Sequence, residues 1–443
     1  MIVAVRQPSF SVVFDDPSNR AGDIRGILIS NLSYAAGLWA QYLDSSADIE
    51  IMLRIAGTAT GRGEGASAAS RRIGTLDGRS LLQDSAPFEL ATGTDPTPSG
   101  ADIVITLDAA YARNELWLDP TPGRAPAIPA DRTDAVSVFT HELGHALGFT
   151  GFRNGTTGSL PGDYLNTFDQ HVAAYGNGLG FYGGTAQAVY GSPVPLTAGN
   201  YGHYGNASMP PGSDPLAGLM NGVNYFRGVR YGIGELDLAI LTDVGNPILV
   251  TRNGTPGADR FSDGPLPSEI FLGAGNDYAL ANGGNDAVYG NQGDDELYGN
   301  QGNDSLFGGQ GQDVVYGGQG NDQVYGNIGL DVIYGNIGAD ILFGGQGTDT
   351  LYGGQGDDVL FGDLGDDVLS GDLGADRYVF GANAGADLVL GFNQGSGDRL
   401  DLTGQTYRTI SDADGSAVLT LSGGGTIKLA GIGAGQVTAN YFV

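Results

Sequence analysis

Residues 141–145 of the chain read His-Glu-Leu-Gly-His. Two histidines four apart lie on one face of a helix, one turn from each other. Imidazoles so placed can reach a single zinc ion. The carboxylate of Glu142, next to the first histidine, can take a proton from a zinc-bound water and pass it to a leaving amine. The helix that must carry this trio is predicted over 134–147. Val136, Val138, Phe139, Leu143, Ala146 and Leu147 are its apolar anchors, and Gly148 permits a sharp turn away from it. Gly144 is expected to leave room beside the metal. Two protein ligands are too few for tight zinc, so a third is expected from farther on. The chain has four histidines, which leaves His171 and His203. His171 sits in a stretch that reads as a surface helix, and His203 in Tyr-Gly-His-Tyr-Gly, a loop among aromatics. A carboxylate such as Asp163 or Asp169 is the remaining option.

A second chemistry stands in the later part of the chain. Aspartates recur every nine residues at Asp277, Asp286, Asp295, Asp304, Asp313, Asp322, Asp331, Asp340, Asp349, Asp358, Asp367 and Asp376. Glycine stands two positions before each, from Gly275 to Gly374, and an apolar residue or Tyr378 two positions after. A fixed short period marks a solenoid. The expected unit is a six-residue turn and a three-residue strand, two units to a coil, with the apolar residue pointing inward. Aspartates eighteen apart then stack, and carboxylates with turn carbonyls form an all-oxygen cage suited to calcium.

The rest of the sequence sets bounds. Fifty acidic against twenty basic residues give a net charge of −30, which repels nucleic acid and anionic membrane and attracts cations. There is no cysteine, so disulfides and thiolate metal sites are excluded. No apolar run is long enough for a membrane span, and Met1 to Phe14 lacks the layout of a signal peptide. Residues 1–250 are expected to form an α+β domain, with strands at 10–14, 49–55, 101–107 and 115–118 and helices at 24–43 and 134–147. Residues 251–270, with Asn253-Gly254 and Pro256-Gly257, read as a linker. Residues 271–380 are the repeat, and 381–443 a β-rich cap over its open end.

The repeat resembles the RTX nonapeptide, Gly-Gly-x-Gly-x-Asp-x-(large apolar)-x, which implies an all-β parallel β-roll filled with calcium. It departs at the second glycine, which is Asn at 282, 291, 300, 327 and 336 and Asp at 363 and 372. These two residue types tolerate the left-handed backbone. The resemblance also implies export of the unfolded chain by a type I ABC exporter, folding outside the cell where calcium is plentiful, and a secretion signal within 381–443. The run from His141 to Gly148 resembles the metzincin motif, His-Glu-x-x-His-x-x-Gly-x-x-His, except that Gly151 stands at the third histidine. Leishmanolysin-like metzincins carry an insertion there, then a distant histidine, a methionine turn and a closing helix. That resemblance implies His203 as third ligand, Met220 as the turn methionine and 235–244 as the closing helix. The whole layout is similar to serralysin-type secreted proteases. It implies a zinc-dependent endopeptidase acting on protein or peptide substrates, with zinc as catalytic and calcium as structural cofactor. The competing expectation is a catalytically vestigial, extracellular calcium-binding adhesin or matrix protein.

Overall fold

The computed structural model describes residues 6–56, 63–76, 79–98, 100–123, 128–150, 159–160, 164–175, 178–196, 220 and 231–443. The chain divides into two compact units, Met1–Leu249 and Val250–Val443.

The first unit runs β1 (Ser9–Asp15), α1 (Arg25–Ala40), β2 (Asp48–Ala56), β3 (Gly63–Ser67), β4 (Ser70–Leu76), β5 (Arg79–Asp84), α2 (Ser85–Thr92), β6 (Ile103–Asp108), α3 (Ala109–Asn114) and α4 (Ala135–Ala146); α5 (Gly184–Tyr190) and α6 (Glu235–Asp243) follow. Its main sheet has the order β1-β2-β6-β3. The first three strands are parallel, and β3 lies antiparallel to β6 at the edge. Alternation explains the inner strands. Ile49, Ile51, Leu53 and Ile55 of β2 and Ile103, Ile105 and Leu107 of β6 all point into the core. Leu28, Leu32, Ala35 and Trp39 of α1, at helical spacing, are wholly buried. The Trp39 indole N–H donates to the Thr140 carbonyl at 2.8 Å, which ties α1 to α4.

The sheet backed by two helices agrees with the sequence pattern. Two details differ. The strand expected at 115–118 is a two-residue pairing of Leu116–Trp117 with Thr133–Asp134, outside the main sheet. Strand β3, Gly-Glu-Gly-Ala-Ser, has no alternating apolar residues to announce it. Its partner β6, not its own propensity, holds it extended.

The second unit is a stack of short, mostly parallel strands in two sheets, one of nine strands and one of eleven. Successive strands alternate between the sheets, and residues eighteen apart pair, as Val288 with Leu306 and Tyr289 with Phe307. Val288, Leu297, Leu306, Val315, Val324, Ile333, Leu342, Leu351, Leu360 and Leu369 fill the interior with no exposure. The inward position of the apolar residue is as expected. The strands, however, are longer than three residues. Ala287–Gln292 and Val314–Gln319 span six, because the ladder runs on into the glycine turn. Residues 251–270 are not a linker. They supply strands Val250–Asn253, Arg260–Ser262 and Ser268–Phe271, which start the same two sheets. Asp259 shows the continuity, since its N–H donates to the carboxylate of Asp277, eighteen residues on, at 2.7 Å. At the other end Ala386–Leu390 extends the roll, and a hairpin of Ser416–Leu421 and Thr426–Gly433 closes it.

Candidate metal centres

Helix α4 begins where the Asp134 side chain accepts the Ser137 N–H at 3.0 Å, an N-cap. It ends at Gly148, whose φ of +125° is closed to most side chains. A Cβ there would also stand 2.9 Å from Val244, just past α6. Asn246 fastens the two helix ends, donating to the Leu147 carbonyl at 2.7 Å and the Leu241 carbonyl at 3.2 Å.

On this helix His141 and His145 face each other, with ring centroids 4.7 Å apart and planes at 86°. His145 Nδ1 lies 3.0 Å from the Phe149 carbonyl, which fixes the proton on Nδ1 and the lone pair on Nε2. Burial pushes its pKa down, toward the neutral form that a metal needs. Glu142 is 9 % exposed. Its carboxylate accepts the Gly65 N–H of β3 at 2.6 Å. Burial raises its pKa to about 7, aided by the nearby Glu64 charge and opposed by the Gly65 hydrogen bond. A carboxylate poised there serves proton transfer near neutral pH. Gly65 itself is obligatory, because a Cβ at that position would collide with the Glu142 backbone carbonyl.

Gly144 does not make room beside the metal. A Cβ on it would stand 2.7 Å from the Met220 sulfur and 3.4 Å from Trp39. Met220 is therefore packed beneath the helix turn between His141 and His145, wholly buried. Asp237 holds it there, accepting the Met220 N–H at 3.1 Å and the Gly234 N–H at 2.7 Å. Sequence reading passed over Asp237; its signal is an acid at the third position of a helix that opens after glycine. His171 is otherwise engaged. Its Nε2 lies 2.8 Å from the Asp243 carbonyl and its ring rests on Phe181. Asp169 is buried, accepting the Asn166 N–H at 3.4 Å. His203 and Asp163 lie outside the described residues. The donor set that is described, two facing imidazoles beside a buried carboxylate, fits zinc.

In the roll, the repeat aspartates form two rails. One oxygen of each accepts the backbone N–H of the residue eighteen positions earlier, which is Ser268 for Asp286 and an aspartate for the others, as Asp295 accepts from Asp277 and Asp313 from Asp295, both at 2.8 Å. The second oxygen of all twelve, Asp277 to Asp376, is buried with no hydrogen-bond partner. From Asp295 to Asp376 it sits over the first glycine of the turn, as Asp322 over Gly317, where a Cβ would lie 2.5 Å from it. Twelve buried, unpartnered carboxylate oxygens demand a cation. Burial raises their pKa values, to about 7 at Asp304, Asp340 and Asp358 and about 6 at Asp322 and Asp331. The substituted second glycines keep the turn. Asn282, Asn291, Asn300, Asn327, Asn336, Asp363 and Asp372 all have φ between +67° and +78°.

The sequence period missed the ends of these rails. Asp367 N–H donates to Asp387 and Asp376 N–H to Asp398, both at 3.2 Å, twenty and twenty-two residues on. The slips of two and four residues hid them. It also missed the outer face, where Tyr298, Tyr316, Tyr334 and Tyr352 stack at 4.6–5.0 Å.

Comparison with known protein families agrees with the roll. The model of the RTX calcium-binding nonapeptide repeat (4 copies) matches at 253–288, 268–297, 289–324, 316–351 and 343–378. Among solved structures, the AlgE6R3 subunit of the Azotobacter vinelandii mannuronan C5-epimerase is similar at 25% identity. The match covers 30% of this chain and 78% of that one, with a TM-score of 0.22. No curated protein matches the chain. RTX repeats are typical of secreted proteins, and no helix among the described residues is long and apolar enough to cross a membrane. Residues 253–378 are thus RTX calcium-binding repeats, built as a parallel β-roll.

Proposed function

We propose that the first unit is a zinc-dependent endopeptidase of the metzincin kind, and that the calcium-filled roll makes it a secreted enzyme. One observation carries the reading. Glu142 is buried between the two histidines of its helix and the edge strand β3, with its proton affinity near neutrality. Zinc held by His141, His145 and a third ligand, for which His203 is our candidate, would polarise the scissile carbonyl and activate the attacking water. Glu142 would take that water's proton and deliver it to the leaving amine. The Gly65 N–H aims its carboxylate, and the fixed tautomer of His145 aims the imidazole. Met220 supports the turn between the histidines from below. Strand β3, the last of its sheet among the described residues, offers an edge along which an extended peptide can pair. We infer type I export of the unfolded chain, with calcium-triggered folding outside; the roll's buried, unpartnered carboxylate oxygens support the calcium-triggered step.

Casein zymography with zinc and calcium tests the proposal. Clearing that vanishes in Glu142→Ala and with chelator supports the enzyme. An absence of clearing against casein and gelatin, with metal bound, favours the adhesin or matrix reading. Zinc content of His203→Ala decides the third ligand, since full retention would place it elsewhere.

A further inference from the structure

Three carboxylates meet in the first unit, away from the helix of His141. Glu89 lies on α2, Asp95 in the loop after it, and Asp102 just before β6. One oxygen from each falls within 4.8 Å of the other two. Glu89 is 5 % exposed and its Oε2 is buried without a hydrogen-bond partner. Asp102, 2 % exposed, is pinned: it accepts the Glu50 N–H at 2.9 Å and the Thr97 hydroxyl at 2.8 Å. Thr97 also anchors Asp95, whose carboxylate accepts the Thr97 N–H at 2.6 Å. No basic side chain among the described residues pairs with any of the three. Buried carboxylates without a counter-charge are expensive, and an orphaned oxygen on one of the three residues that converge here asks for a cation.

We propose that Glu89, Asp95 and Asp102 form a calcium site in the first unit, separate from the roll. The donors are all hard carboxylate oxygens, which suits calcium over zinc. Asp95 is exposed, so water completes the shell on that side. Bound calcium neutralises Glu89 and ties α2 and the following loop to the start of β6.

The chain supplies its own probe. Its only tryptophans, Trp39 and Trp117, lie in the first unit. Tryptophan fluorescence during heating therefore follows that unit alone. The full-length, zinc-loaded protein is melted with and without calcium, as wild type and as Glu89→Gln. A calcium concentration a hundredfold above the dissociation constant is expected to raise the wild-type midpoint by about 5–10 °C. Any contribution from the roll is common to both proteins. Glu89→Gln is expected to match or exceed the wild type without calcium, having lost a buried charge, and to gain less from calcium. Equal increments in the two would overturn the site and leave Glu89 and Asp102 sharing a proton. Should Glu89→Gln fail to fold, the exposed Asp95→Asn carries the test. The calcium needed for half of the increment then rises roughly tenfold with one ligand charge lost. An unchanged midpoint concentration overturns the proposal equally.

Discussion

Removing calcium at neutral pH should unfold the roll, and acid alone should restore it. The repeat aspartates start from an ordinary pKa of 3.8, and burial raises them in the fold to about 6 at Asp295, Asp322, Asp331 and Asp376 and to about 7 at Asp304, Asp313, Asp340, Asp358 and Asp367. A raised carboxylate pKa means that the folded state holds its proton more tightly than the unfolded chain. The associated penalty is absent below pH 3.8 and grows as pH rises toward 6 and 7. A carboxyl moved from 3.8 to about 6 makes its ionised form costlier by about 3 kcal/mol. Relaxation of the calcium-free turns and entry of water cut this to about 1 kcal/mol per group. Nine such groups then sum to about 9 kcal/mol, comparable to the whole stability of a domain. Circular dichroism of the full chain in chelator, scanned from pH 7 to 4 at low protein concentration because the sequence pI is about 4.1, should show β signal appearing through pH 6 to 4. Addition of millimolar calcium at pH 7 should produce the same signal. A calcium-free roll that stays folded at pH 7.5 would refute the reasoning, since the buried oxygens would then need no cation.

Other outcomes follow from single positions. Glu142→Ala should lower proteolytic turnover by about 10²–10⁴ while leaving the melting midpoint and zinc content near wild type, read by peptide hydrolysis and metal analysis. Gly144→Ala pushes a methyl against Met220 and Trp39; a loss of about 1–3 kcal/mol is expected, visible as a tryptophan-detected midpoint lower by several degrees. Asn291→Val places a β-branched residue at φ +72°, costs about 1–2 kcal/mol and should raise the calcium midpoint for roll folding, whereas Asn291→Gly should not. Gly65→Ala should depress turnover as strongly as it depresses stability or more, because its Cβ collides with the helix that carries Glu142.

The roll and the helix of His141 are legible in the sequence to different degrees. The roll was readable because its contacts are periodic. Residues eighteen apart stack, so a nine-residue spacing in one dimension becomes a rail of carboxylates in three. Left-handed asparagines at the second glycine were readable for the same reason, each being a local backbone requirement. What the period could not show was where it stops. Asp259, Asp387 and Asp398 join the rails across shifted spacings or from a segment that reads as a linker.

In the first unit, His141, Glu142 and His145 stand close in sequence, and one helix brings them together, so the motif alone determined their side-by-side placement. The partners that orient them come from 77 residues before Glu142, at Gly65, and from the distant Met220, held by Asp237 of α6. Gly-Glu-Gly-Ala-Ser has no pattern of its own, and only pairing with β6 makes it the strand that meets Glu142. Local spacing thus fixed which atoms could bind metal, while long-range packing decided which carboxylates are desolvated. Burial is a property of neighbours from elsewhere in the chain, and so is the proton affinity that burial sets.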